Sequence, residues 1–295
     1  MKTRDEEIVI VGAGLSGLTL ARKLKSLGKS CLLIEKSKGL GGRIATRRID
    51  EGGFDHGASF LNYSQYFEDF LNLSPDIVSR STEGFYLHGG MNRLAKTLAQ
   101  DLDILKNQRA HIIRPEDNRW SIKTEEGLEI ITNKLVITAP LPQAILLLDE
   151  NKLQVPAKLR AIQYKKALVY LAIFKNLPDD LRSFSHQDHM IYLMRERELH
   201  PRGIVMHLSD ELAEESFEKS DEEILKLMNS VIKNSALKNS ELEKAELKKW
   251  RYSEPHNILP EDHVEILPGL YCTGDAFNGA LRSTNNLVQV LKSQA

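Results

Sequence analysis

IVIVGAGLSG, residues 8–17, decides the fold of this 295-residue chain. Ile8-Val9-Ile10-Val11 is a continuous β-branched run, suited to a strand buried on both faces of a parallel sheet. The glycine turn follows at once, and Leu18, Leu20, Ala21, Leu24 and Leu27 then keep helical spacing up to Gly28, a good C′ residue. A second apolar strand, Cys31 to Ile34, delivers Glu35. The glycine pattern thus has its strand, helix and acidic residue in place, the context that makes it a dinucleotide-binding signal. Gly12 permits the tight turn, Gly14 lets backbone N–H groups approach a diphosphate, and Gly17 lets the helix pack on the strand. The helix N-terminus, with Leu15 and Ser16 in its first turn, faces the diphosphate. Glu35, followed by Lys36, can accept hydrogen bonds from ribose hydroxyls.

All of this serves NAD and FAD alike. The continuation, IEKSKGLGGR at 34–43, breaks the tie. Gly39, Gly41 and Gly42 bring backbone close to a longer cofactor, and Arg43 can neutralise phosphate or fix a ribityl hydroxyl. At the far end Gly274-Asp275 follows another strand, and the helix behind it, carrying Asn285, can point its N-terminus at a flavin. Three separated glycine sites, each after a strand, suit an extended FAD.

These motifs, with FDHGASF at 54–60, VITAP at 136–140 and GDAF at 274–277, resemble the flavin-dependent amine oxidase superfamily. WRYSEP at 250–255 and VMHLSDELAEES at 205–216 are similar to segments of its renalase-like members. The resemblance implies noncovalent FAD, a sheet-based substrate domain over the flavin, and oxidation of misreduced NAD(P)H isomers with electrons passed to oxygen. The chain departs from that pattern at Ser283 to Asn286, where a glycine- and alanine-rich stretch is usual. That polar cluster reads as an N-cap at the start of the last helix.

The expected fold is α/β: a GxGxxG FAD-binding domain (1–62, 88–145 and 250–295) and an α+β substrate domain on a mainly antiparallel sheet (63–87 and 146–249). Helices are expected over Ser64–Leu73, over 89–102, after Pro142, after the capping box Ser220 to Glu223, and from about Ser283. Strands are expected near 109–114, 119–124 and 128–132, at Lys134–Pro140, with alternating pattern at Lys166–Phe174, Met190–Arg195 and Ile204–Leu208, and at Leu270–Thr273.

Composition narrows the function classes. With 40 basic and 41 acidic residues the net charge is −1, so no field favours nucleic acid or anionic lipid. No window approaches the roughly 20 apolar residues of a membrane span. MKTRDEE is unlike a signal peptide, which leaves a cytoplasmic protein as the expectation. Two isolated cysteines, Cys31 and Cys272, make neither a disulfide framework nor a metal site. His186 and His189 lack a third ligand, so no metal is expected. Pocket candidates are His56, His207, Trp250 and Tyr252; by strand alternation Trp250 and Tyr252 share one face. Asp55 as a structural cap and His56 as a ring-side group are equally open readings, whereas His207 reads first as a satisfied core histidine and second as pocket lining. The partners implied are a small-molecule hydride donor and oxygen. The alternatives are an amine oxidase and a flavin-binding protein without turnover.

Overall fold

The computed structural model describes residues 3–62, 78–80 and 84–293; the helix expected over Ser64–Leu73 lies outside them. The chain opens with β1 (Thr3–Val11), α1 (Leu15–Ser26) and β2 (Leu32–Glu35), the expected β-turn-α-β unit. Two hairpins follow, β3 (Thr46–Ile49) with β4 (Gly52–Asp55) and β5 (Val78–Arg80) with β6 (Phe85–Leu87). Next come α2 (Asn92–Leu98), β7 (Asp103–Lys106), the meander β8 (Ala110–Glu116), β9 (Arg119–Thr124) and β10 (Glu129–Ile137), then α3 (Leu141–Glu150) and α4 (Ala157–Arg160). A second group comprises β11 (Ala167–Phe174), β12 (Phe184–His186), β13 (His189–Leu193), β14 (Gly203–His207), α5 (Asp210–Ser216), α6 (Asp221–Lys233) and β15 (Leu242–Trp250). The chain closes with β16 (Val264–Leu267), β17 (Leu270–Cys272) and α7 (Ala280–Ser293).

The first sheet runs β16-β17-β10-β1-β2-β7, with β9 and β8 attached beyond β10. Its centre is parallel: β1 pairs with both β2 and β10, and β10 with β17. The segments 128–132 and 134–140, expected as two strands, are one. Along a single edge of β10, Glu129–Thr132 pairs antiparallel with β9, while Leu135–Ile137 pairs parallel with β17. Ile8 and Ile10 face a core shared with α1, α2 and α7; Val9 faces the other core, shared with α3 and the meander. That placement of successive residues on opposite, equally buried faces is why the opening run is uninterrupted by polar residues.

The second sheet, β12-β13-β14-β11-β15, is antiparallel throughout. Leu168, Tyr170, Ala172 and Phe174 pack under α5 and α6, whereas Val169, Leu171 and Ile173 meet Ile49 and Phe54 of the β3–β4 hairpin. The alternating pattern expected of β11 is therefore wrong: both its faces are covered, so the strand is apolar at nearly every position. β13 stops at Leu193, short of Arg195, and passes into a 3₁₀ turn over Met194–Arg197. The capping box at Ser220 and Glu223 forms as expected.

One expectation near the C-terminus fails. Helix α7 starts at Ala280, so Ser283 to Asn286 are not its N-cap. Ser283 and Thr284 are fully buried inside it, their hydroxyls donating to Gly274 O at 3.0 Å and Ala280 O at 2.9 Å. The hydroxyls are thereby satisfied within the helix, at the small cost that back-bonding to a preceding turn carries. Among the described residues no helix is long and apolar enough to cross a membrane.

Candidate functional site

The three glycine turns converge at the N-terminus of α1. Gly14 is its N-cap, no side chain caps the helix, and the first turn holds no acidic residue. Its orphan N–H groups therefore keep their partial positive charge. Gly14 forms an isolated parallel bridge with Gly41, and Gly41 N–H donates to Ala13 O at 2.9 Å. Gly41 has φ +102°, which only glycine takes without strain. A Cβ on Gly17 would collide with the Gly12 carbonyl, whereas one on Gly14 would meet nothing within 4 Å. The turn is thus packed tight behind and open in front. The third turn closes on the same place: a Cβ on Gly274 would lie 3.7 Å from Ser16 Oγ, and one on Gly42 3.4 Å from the Gly14 Cα. Leu15 is half-buried and Ser16 buried in the first turn of α1.

Glu35, delivered by β2, holds this loop cluster together. One carboxylate oxygen accepts Ala13 N–H at 2.9 Å and the other Ser37 N–H at 2.8 Å. An ionised carboxylate offers about four lone-pair sites, so one remains on each oxygen. Lys36 points elsewhere, exposed and donating to Gln143 Oε1 at 3.1 Å. Thr138, at the end of the VITAP strand, donates to Val11 O and Gly12 O and fixes the first turn from behind.

Arg43 and Asp275 meet across the chain. Arg43 Nη1 donates to Asp275 Oδ2 at 2.7 Å and to Ser253 O at 2.9 Å, while Tyr164 OH donates to Asp275 Oδ1 at 3.1 Å. Arg43 thus has a protein counter-ion. Burial and the neighbouring Asp275 carboxylate push the Tyr164 phenol up, so it stays protonated and donates. Asn285 is half-buried in α7.

From Arg43 the site extends along 55–60 toward the second sheet. Ala58 N–H donates to Arg43 O at 2.8 Å, and a Cβ on Gly57 would overlap that carbonyl. Asp55 is a cap: Oδ1 accepts Thr46 Oγ1 at 2.6 Å and Met91 N–H at 2.9 Å, and Thr46 Oγ1 in turn accepts Asn92 N–H at the start of α2. Its Oδ2 is buried without a hydrogen bond, and burial raises its pKa. His56 stacks on Trp250, ring centroids 5.3 Å apart at 16°, and accepts the indole N–H on its carbonyl at 2.7 Å. Its Nδ1 is buried without a partner, and burial pushes its pKa down to about 4. His207, on β14, lies 3.4 Å from Ser59 Oγ through Nε2 and meets Tyr192 edge-on. Burial, with Arg197 and His56 nearby, brings it also to about 4. Both imidazoles are therefore neutral at pH 7.

Trp250 and Tyr252 do not share a face. β15 ends at Trp250, the chain turns, and Tyr252 meets Tyr164 edge-on beside the Arg43–Asp275 pair. Alternation holds only while the strand continues. Three residues escape sequence reasoning: Tyr164, Tyr192 and Arg197. Arg197 stands in the charged run Arg195-Glu196-Arg197, which carries no site reading in the sequence, yet it is 7% exposed. The free thiols Cys31 and Cys272 are both pushed up to about 12, chiefly by burial.

Comparison with known proteins agrees with this geometry. The pattern of an NAD(P)-binding Rossmann-like domain matches residues 10–73. Over short segments the chain is similar to the L-amino acid oxidase of Cerastes cerastes (45% identity over 52 residues) and to lysine-specific histone demethylase 1 homolog 3 of Oryza sativa subsp. indica (41% over 51). These segments are 18% and 17% of this chain, and span only 10% and 6% of the respective relatives. Two solved structures share the fold along their length. Putrescine oxidase, wild type bound to putrescine, has TM-score 0.69 and 13% identity, covering 99% of this chain and 100% of that one. The CLA-producing fatty acid isomerase from P. acnes has the same TM-score and identity, covering 98% of each chain. An oxidase and an isomerase on one fold show that the fold alone does not choose the reaction. Residues 62–285 match the pattern of the flavin containing amine oxidoreductases, and the chain belongs to that family.

Proposed function

We propose that this protein is an FAD-dependent oxidoreductase of the renalase-like kind, oxidising misreduced dihydronicotinamide dinucleotides and passing the electrons to oxygen. The observation that carries the flavin is the meeting of three glycine turns at an uncapped helix N-terminus that is open in front of Gly14. The residues fit the group. The N–H groups of Gly14, Leu15 and Ser16 would receive the diphosphate, and the spare lone pairs of Glu35 the ribose hydroxyls. Gly12 and Gly17 shape the turn, and Gly41, Gly42 and Gly274 admit the extended chain of the cofactor. Arg43 and Asp275, which hold each other, would flank that chain, and the first turns of α7, with Asn285, would lie toward the flavin. The flavin supplies hydride acceptance and reoxidation by oxygen. The 1–62, 88–145 and 250–295 segments make up the FAD-binding domain in this reading, and 63–87 with 146–249 the substrate domain.

The charges beside His56 and His207 support the donor. Asp55 is committed to Thr46 and Met91 through one oxygen and faces Arg197 at 3.8 Å through the other, and Asp275 is committed to Arg43 and Tyr164. The two imidazoles are neutral, and Arg197 offsets the Asp55 carboxylate, so neither acid is free to hold an ammonium. Such surroundings suit an anionic dinucleotide better than an ammonium. A dihydronicotinamide isomer is already an activated hydride donor and asks the protein only for alignment and exclusion of water. Those tasks fall to the stacked His56–Trp250 pair, to Tyr252 against Tyr164, and to His207. A cytoplasmic location, where such dinucleotides are held, follows from that donor.

The test is anaerobic mixing of the purified yellow protein with candidate donors. The 2- and 6-dihydronicotinamide dinucleotides should bleach the flavin rapidly, β-NAD(P)H and common amines slowly, and air should then give hydrogen peroxide. Denaturation should release intact FAD. The family match favours amine oxidation as the second reading, and an amine that bleaches faster than either isomer replaces the first with it. If no donor bleaches the flavin, binding without turnover is the remaining reading.

A further inference from the structure

Arg197 is the most unusual charge in the second sheet's surroundings. It ends the 3₁₀ turn after β13, and its side chain is 8% exposed. Its guanidinium lies 5.0 Å from the ring centroids of both Tyr86 and Tyr192. Two aromatic rings stabilise a cation by their quadrupoles, and here the cation they hold is the protein's own. Nη1 donates to Ser59 O and stands 3.8 Å from Asp55 Oδ2, too far for a hydrogen bond. Asp55 spends its other oxygen on Thr46 and Met91. Among the described residues Nε and Nη2 find no acceptor, although a guanidinium carries five N–H donors. That edge therefore keeps donors to offer to a group from outside the chain. Ser59 joins this arginine to His207, placing it beside the neutral imidazole.

We propose that the Nε/Nη2 edge of Arg197, held between Tyr86 and Tyr192, is a receptor for an oxyanion carried by the hydride donor. The assignment rests on the oxidoreductase reading for the word donor, and on the geometry alone for the anion. A planar fork of two parallel N–H groups matches a carboxylate or a phosphate. The source is a phosphate if the donor is a dinucleotide and a carboxylate if it is an amino acid. A cationic amine without an acid group is disfavoured in either case.

The experiment titrates FAD-loaded protein calorimetrically with two probes, inorganic pyrophosphate and benzoate, at low ionic strength. Wild type should bind one of them, and the preferred probe names the source. Arg197→Met should weaken that binding about tenfold or more, and Arg197→Lys, which keeps the charge but loses the fork, at least about threefold. Flavin absorbance and circular dichroism verify that each variant is loaded and folded. If the methionine variant does not fold, the lysine variant decides. No binding of either probe by wild type up to about 50 mM overturns the proposal, since a buried fork should do better than that. So does an affinity unchanged in the deciding variant. Because binding is read without turnover, a protein that binds pyrophosphate through Arg197 yet is bleached by no dinucleotide refutes the proposed function and leaves the receptor standing.

Discussion

Replacing Glu35 with alanine should weaken two things at once, and the structure separates them. The carboxylate accepts N–H groups from Ala13, in the first glycine turn, and from Ser37, ahead of the second. Ala13 is fully buried, so its N–H loses its only acceptor and no water replaces it. A buried donor left unpaired costs roughly 1–3 kcal/mol. Ser37 is exposed, and water takes over there at little cost. The protein without cofactor should therefore lose about 1–3 kcal/mol, nearly all of it from Ala13. Loss of the spare lone pairs should weaken FAD by a further 1–3 kcal/mol or so, about tenfold to a hundredfold. Glu35→Gln should behave differently, because its one oxygen can still serve Ala13. Its unfolding free energy should fall by under about 1 kcal/mol while FAD affinity drops by an intermediate amount. The assays are urea unfolding of cofactor-free protein and quenching of FAD fluorescence on titration. An alanine variant as stable as wild type would refute the loop-tying role of Glu35. One with unchanged FAD affinity would place the ribose elsewhere.

Acid should unfold the protein partly through its histidines. His56 and His207 are depressed from 6.5 to about 4 when folded, so their contribution is complete above pH 6.5 and is lost as pH falls toward 4. Urea unfolding from pH 7 to 4.5 should then show a smaller loss for His207→Asn than for wild type; parallel curves would show that His207 does not titrate in this way. The Arg43–Asp275 pair should be strongly coupled, with its two side chains 28% and 19% exposed. A double-mutant cycle of Arg43→Met and Asp275→Asn should give a coupling of about 1–3 kcal/mol in thermal or urea unfolding, and additive single effects would contradict it.

Local physics made much of this protein readable in advance. A glycine turn, its flanking strand and helix, the acid at the end of β2 and the capping box at Ser220 each follow from residues within a few positions of one another. The sheet-buried runs were legible for the same reason, although periodicity could not tell that β10 changes neighbours midway or that both faces of β11 are covered. Those depend on what packs alongside. The site depends on it more strongly still. Arg43 meets Asp275 across 232 positions, Trp250 meets His56 across 194, and Arg197 meets Ser59 across 138. Arginine in a charged run looks solvated in one dimension, because exposure is a property of the folded surface rather than of the run. Only when β13 breaks into a 3₁₀ turn opposite Ser59 does Arg197 swing between Tyr86 and Tyr192. The sequence by itself determined the cofactor-type turns and their strand–helix frame, through short-range stereochemistry. Tertiary structure alone decided which charges are paired, which are buried and which are left open to a ligand, because chain crossings set those and no local pattern encodes them.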